Sequence, residues 1–419
     1  MLIYLIIGIC VLYIIVQLIY KEKVYRPSVL FAVIWVVVLT MYSFRLYGLP
    51  EIENRTLIII ALGLCSFFVG TLVNKSSKKY LVVGARKFFE KEVREFALKP
   101  MVIAFFLIMF MPVVRSLLLL LSGASLYMIR YSMQNDVLGS GIIAILFNYY
   151  CEPFLTFYIV YSIANLFSPY RKNKNILLTI IGILFMTIVT GGRFFIFYFI
   201  GALAVCFLIY RRNIDFKSLR TNKKVLKTAR ILIIIAVTAI IAITITRGSE
   251  IGETIYVYFC GSVPFLEQMN DLFTQHTNGA GTFYGFLRPI FVIFRKFGIC
   301  GFPGWLTNIE SIFLKIDNPY YLVPGMLFNS FTTSFFAPYL DGGLFGVVIF
   351  YLVLGFFCEG VYKRLDLKNE YSVSWFLLIS LIVMLSFFRL TITHYSFSLA
   401  FVYLVITHKQ KREDVNLMV

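Results

Sequence analysis

Long apolar runs alternate with short polar stretches along almost the whole chain. The runs fall at about 2–20, 28–47, 56–73, 100–121, 141–166, 176–192, 194–210, 231–246, 341–362, 372–388 and 391–407. Each approaches or exceeds the roughly 17–25 residues a helix needs to cross a hydrocarbon core. Inside a bilayer the backbone must satisfy its own hydrogen bonds, and a helix does so within one segment. The pattern predicts an all-α, polytopic integral membrane protein with about 11 transmembrane helices. Helices 1–8 would occupy residues 1–246 and helices 9–11 residues 341–419, with one large extracytoplasmic loop, 247–340, between them. The first run lacks a basic flank and a small-residue cleavage site, so it reads as a span and not as a removable signal.

Two polar stretches are not plain connections. In the large loop, residues 285–297 read GFLRPIFVIFRKF, too short and too charged to span, and suited to a helix lying at the interface or re-entering. Residues 327–339 read LFNSFTTSFFAPY and share that half-buried character. Residues 74–99 interleave basic and apolar positions, the pattern of an interfacial helix on anionic lipid, with a solvated linker as the plainer alternative.

Residues 187–199 read TIVTGGRFFIFYF, and Arg193 is the one charge in a 35-residue stretch. As a single helix that stretch would be about 52 Å long, well beyond a core of about 30 Å. A charge at mid-membrane is costly, and Gly191-Gly192 favours a turn. The stretch therefore predicts a tight helical hairpin with Arg193 at its tip.

Charge fixes an orientation. The chain has 419 residues, is 60% hydrophobic and 14% charged, and carries a formal net charge of +18; its mean hydropathy is +0.84. In a soluble protein such a charge would suggest nucleic acid, but here 28 of the 39 Lys and Arg lie in one set of loops. By the positive-inside rule that side is cytoplasmic, so the N-terminus is outside and the C-terminus inside. The other 11 lie at or near the outer ends of spans, and nine of these are Arg, against 10 of the 28 inside. Arginine suits places where a planar fork grips phosphate or carboxylate; tolerance of partial burial is the structural alternative.

The seven cysteines form no metal-ligand pattern. Cys260 and Cys300 share the large loop, where two free thiols is the favoured reading over a disulfide. No nucleophile elbow, zinc helix or phosphate loop is present, so any group transferred must arrive already activated. Arg193, Arg247 (TITRGSE) and Arg389 (SFFRLTITH) mark helix ends on one side, and Arg288 sits on the amphipathic stretch. Arginines there suit a lipid-linked pyrophosphate, binding it and stabilising it as a leaving group without a metal. A glycosyl transfer also needs a base, and Glu250, Glu253, Glu267, Asp271, His276, Glu310, Asp317, Asp341 and His394 are the outer candidates. His394 is five residues from Arg389. Glu51 and Glu53 form a weak acidic pair. Glu152-Pro153 places a carboxylate inside the fifth run, as a proton-coupled transporter would need.

Thr190-Gly191-Gly192-Arg193 between two spans resembles the T-x-G-R hairpin of bacterial oligosaccharide repeat-unit polymerases, the Wzy-type polymerases of O-antigen, capsule and exopolysaccharide. Tyr258-Phe-Cys-Gly261-Ser-Val-Pro264-Phe-Leu266 is similar to a stretch those proteins carry early in the large external loop. Asn329, then Tyr339-Leu-Asp341-Gly-Gly343-Leu-Phe-Gly346, resembles their loop exit. The resemblance implies an inverting, metal-independent transfer in the bacterial plasma membrane. A growing glycan moves from one undecaprenyl pyrophosphate to the sugar end of another lipid-linked repeat. It implies Arg193 and Arg247 as pyrophosphate or glycan contacts, and Asp341, Gly343 and Gly346 as loop-exit architecture. Taken with the charge pattern, the candidate catalytic residues are Arg193, Arg247, Asp341 and His394. The candidate substrate contacts are Arg288, Arg389, Tyr258 and Asn329. No metal or cofactor is implied. The expected partners are undecaprenyl-pyrophosphate-linked oligosaccharide, membrane lipid, and the flippase and chain-length regulator of the same pathway, with no nucleic acid. O-antigen ligases, by contrast, carry a His-Asn pair before G-x-x-G; here Phe328 precedes Asn329 and the spacing to Gly343 is longer. A lipid-linked oligosaccharide flippase and a transferase that decorates finished glycan are the competing classes.

Overall fold

The computed structural model describes residues 1–76, 91–124, 126–133, 141–168, 173–212, 251–323, 326–329 and 331–410, with isolated positions between 227 and 238. Ten of the apolar runs are helices: α1 (Leu2–Ile19), α2 (Pro27–Ser43), α3 (Asn54–Ser76), α4 (Glu95–Leu121), α6 (Gly141–Phe167), α7 (Asn173–Thr190), α8 (Phe194–Arg212), α13 (Phe336–Lys363), α14 (Glu370–Met384) and α15 (Tyr395–Ile406). A short helix, α5 (Leu126–Ser132), follows α4. The run at 231–246 lies outside the described residues apart from isolated positions. Among the described residues, six helices are long and apolar enough to cross a membrane: α1, α3, α4, α6, α8 and α13. Four more, α2, α7, α14 and α15, are apolar and shorter. Large apolar side chains stand exposed along them, Leu107, Phe110 and Leu118 on α4 and Phe345, Ile349 and Val353 on α13 among them. A water-soluble fold does not expose such belts, and the chain is an all-α membrane protein.

Local sequence explains where the helices stop. Pro27 opens α2, where its missing N–H is harmless. Asn369 caps α14, its side chain accepting from the N–H groups of Tyr371 and Ser372. Gly191 ends α7 at φ +59°, a left-handed conformation that glycine adopts without a steric penalty. In α6 the backbone widens to a π-helix over Phe147–Cys151, immediately before Glu152-Pro153. Proline has no N–H to return to the preceding turn and its ring clashes there, so the turn opens.

Helices α3 and α13 approach most closely. A Cβ on Gly70 would lie 2.1 Å from the carbonyl oxygen of Leu352, and one on Gly355 would lie 2.2 Å from that of Phe67. Small residues at such crossings let backbones meet where lipid offers no hydrophobic drive. Helix α6 packs on α7, α8, α14 and α15. Asn165 joins these elements by donating to Glu370 Oε1 at 3.0 Å and accepting from Asn175 at 3.3 Å.

The segment between α8 and α13 holds α9 (Ile251–Cys260), α10 (Ser262–Leu272), α11 (Tyr284–Lys296) and α12 (Gly304–Asp317). The stretch GFLRPIFVIFRKF is indeed helical, as α11, with Ile290, Ile293 and Phe294 exposed. The all-helical expectation misses two small two-stranded sheets. β1 (Lys91–Val93) pairs antiparallel with β4 (His408–Gln410), and β2 (Pro319–Val323) pairs antiparallel with β3 (Met326–Asn329). The strands of the second are built from β-prone residues, Tyr320, Tyr321 and Phe328 among them. The ninth run also differs: α13 begins at Phe336 and not at 341, and breaks at Gly342 (φ −161°) and Gly343 (φ +58°).

Candidate active site

Arg193 follows the Thr190-Gly191-Gly192 turn and caps α8. Its carbonyl accepts from the N–H groups of Ile196 and Phe197, each at 3.1 Å. Thr190 Oγ1 donates to the Met186 carbonyl at 2.7 Å and accepts from Gly192 N–H at 3.1 Å, which fixes the turn. The Arg193 side chain is turned inward and is only 8% exposed. An arginine that merely snorkels would hold its head in water.

Phe194, the next residue, carries the guanidinium of Arg389 5.5 Å from its ring centroid, and Phe331 carries it at 5.9 Å. The ring of Tyr258 lies 5.7 Å from Phe331 and 6.1 Å from Phe388. The hairpin tip, the end of α14 and the start of the loop therefore meet through one aromatic cluster. Arg389 Nη2 also donates to Asp317 Oδ1 at 3.0 Å.

Arg389 and Asp317 line a small cleft beside this cluster, whose other polar lining is Thr332, Thr333 and Thr393. Its wall is built by a segment that folds back into the bundle. Thr333 N–H donates to the Phe388 carbonyl at 3.0 Å, and Ser334 N–H to that of Ser386 at 2.7 Å. Thr333 holds φ +59°, a left-handed value that is unusual for a β-branched residue and costs about 1–3 kcal/mol. The half-buried character of LFNSFTTSFFAPY comes from this return, since residues 331–336 are buried.

The other candidates lie around this cleft with different geometry. His394 follows the cleft residue Thr393 and caps α15. Ser396 meets its Nδ1 twice, through the backbone N–H at 3.3 Å and through Oγ at 2.7 Å. Arg288 on α11 donates through Nε and Nη2 to Glu310 Oε1 at 3.0 and 2.7 Å, and through Nη1 to Tyr149 OH at 2.6 Å. Its guanidinium also lies over the rings of Tyr149 and Tyr395. Burial opposes its charge, but Tyr149, Tyr284 and Glu310 outweigh burial and raise its pKa. Gly285 lets α11 sit against this corner, since a Cβ there would lie 2.4 Å from the Ile392 carbonyl.

Asp341 is fully engaged. Oδ1 accepts from Thr277 Oγ1 at 2.5 Å and Gly281 N–H at 2.8 Å, and Oδ2 accepts from Thr282 N–H at 2.8 Å. It clasps the 277–282 turn to the start of α13. Asn329 ends β3 with its backbone paired to Pro319. Arg247 lies outside the described residues. Cys260 and Cys300 are free thiols. Glu51 is paired with Arg45 at 2.5 Å, and among the described residues no three His, Cys, Asp or Glu side chains gather as a metal site needs.

Asp317 is the cleft residue that the sequence leaves undistinguished among nine outer candidates for a base. Its partner stands 72 residues away, and no local spacing reports such a contact. Glu152, half-buried in α6, lies near Tyr395 and Tyr198. No family model, curated protein or solved structure matches the chain.

Proposed function

We propose that this chain polymerises undecaprenyl-pyrophosphate-linked oligosaccharide repeats into surface polysaccharide, as a metal-independent glycosyltransferase in a bacterial plasma membrane. In this reading the helices form an eleven-span arrangement with the N-terminus outside. Residues 247–340 and the cleft then face the outer side, where lipid-linked repeats are joined. The observation that carries it is the meeting of the Arg193 hairpin tip, Arg389 and Tyr258 through one aromatic cluster beside the cleft that Arg389 lines. Guanidinium groups there would hold the donor's pyrophosphate and stabilise its charge as it leaves. Aromatic faces such as Tyr258 would stack on sugar rings. A flippase is the second reading, and Glu152 in α6 is the observation that favours it.

The test replaces Arg193 with Ala in the native host, confirms that the protein reaches the membrane, and runs surface glycan beside a deletion strain. Single repeats without long chains are expected in both strains. Loss of even single repeats from the outer face in the deletion strain would favour the flippase. Normal chain length in Arg193→Ala would remove Arg193 from the site.

A further inference from the structure

Arg389 is held differently on its two sides. Two aromatic faces, Phe194 and Phe331, fix its plane. Its ion pair with Asp317 is a single contact of 3.0 Å, and the Asp317 side chain is 48% exposed. A single-contact pair open to water is weakly held, and a pyrophosphate offers the same fork more charge and more acceptor oxygens. Asp317 is also the last residue of α12, where the helix dipole disfavours a negative charge. Its placement there is poor for helix stability and good for a group that exchanges partners.

The other acids near the cleft are engaged. Asp341 accepts three hydrogen bonds, and Glu310 holds Arg288. His394 Nδ1 is engaged by Ser396. Among the described residues lining the cleft, Asp317 is the one carboxylate.

We propose that Asp317 is an internal ligand of Arg389 that yields its place to the donor's pyrophosphate and then accepts the proton of the acceptor hydroxyl. This inference rests on the polymerase reading. The acceptor oxygen, from the sugar end of a second lipid-linked repeat, forms the new bond to the donor's anomeric carbon. The bond from that carbon to the pyrophosphate oxygen breaks, and the pyrophosphate leaves with the electron pair against Arg389. The acceptor's proton passes to Asp317, which loses it to water as it re-pairs with Arg389. A displaceable ligand thus also serves as the base, and it is released only when a donor is bound.

Two readouts must move in opposite directions. Full-length protein in lipid nanodiscs is titrated with undecaprenyl pyrophosphate, and chain length is read on gels from the host. Asp317→Asn is expected to bind the pyrophosphate about 3- to 10-fold more tightly, because a competitor is weakened. The same variant should lose transfer by about 10²- to 10⁴-fold, leaving single repeats. Asp317→Glu, which keeps the carboxylate, should recover part of the chain length. Normal polymer in Asp317→Asn overturns the proposal. So does weakened binding in that variant, which would make Asp317 a structural tether. If wild type fails to bind undecaprenyl pyrophosphate and a deletion strain keeps its chain length, the polymerase reading itself fails and takes this inference with it.

Discussion

Two arginines at opposite ends of the bundle show what separates a strut from a site. Arg26, between α1 and α2, is completely enclosed. Its Nε donates to Glu359 Oε2 at 2.9 Å, while Nη2 lies 2.8 Å from Glu359 Oε1. Its Nη1 donates to Gln17 Oε1 at 2.8 Å and lies 3.0 Å from Glu22. The fork is matched by a carboxylate in two-point geometry and closed by neighbours on the same side. Arg389 has rings on its faces, one carboxylate at its edge, and a cleft beyond. Both are arginines at helix ends in an apolar protein. What differs is that one fork is enclosed by its partners while the other lines a cleft.

Removing a partner at each end should separate the two roles. The largest loss of stability is expected from Glu359→Ala. It strands a buried guanidinium, and breaking such a pair costs about 3–5 kcal/mol. The melting temperature of the purified protein and its yield in membranes should both fall. An unchanged melting temperature would show that Arg26 is not held as described. Arg389→Ala should cost only about 1 kcal/mol, since its ion pair and ring contacts are partly open to water. It should nonetheless abolish long glycan chains, and Arg389→Lys should not restore them, because lysine lacks the planar fork. Wild-type chain length in the lysine variant would reduce the site to a point charge.

The smallest effect concerns pH. At Glu22 burial opposes ionisation, but Lys75 and Arg26 outweigh it and lower its pKa below the ordinary 4.5. A group whose folded-state pKa is depressed contributes stability above its unfolded value and loses it as acid protonates it. Thermal stability should therefore decline as pH falls from neutral through 4.5 and below. Glu22→Gln should flatten part of that decline. An acid limb identical in the two proteins would mean that the pair contributes nothing.

Much of the scaffold was legible because a bilayer imposes length. An apolar run of span length has few alternatives to a helix, and ten such runs are helical here. The Arg193 hairpin was legible for the same reason: its run is too long for one crossing, and two glycines mark the turn. The cleft was not legible. Its walls come from residues 313–317, 332–337 and 389–393, joined by backbone bonds such as Thr333 to Phe388 that leave no periodic trace. Asp317 was one candidate base among nine until its contact with Arg389 distinguished it. Arg26 was counted only as a cytoplasmic charge, because nothing in its neighbourhood announces a carboxylate 333 residues later.

The break at Gly342-Gly343 divides α13 into two mechanical bodies. Below it, Gly70 and Gly355 lock the long portion to α3. Above it, Asp341 ties the chain to the 277–282 turn. Movement of the 277–282 turn would therefore reach a joint before it reached the packed helices, and the two portions of one stretch of sequence can answer to different neighbours.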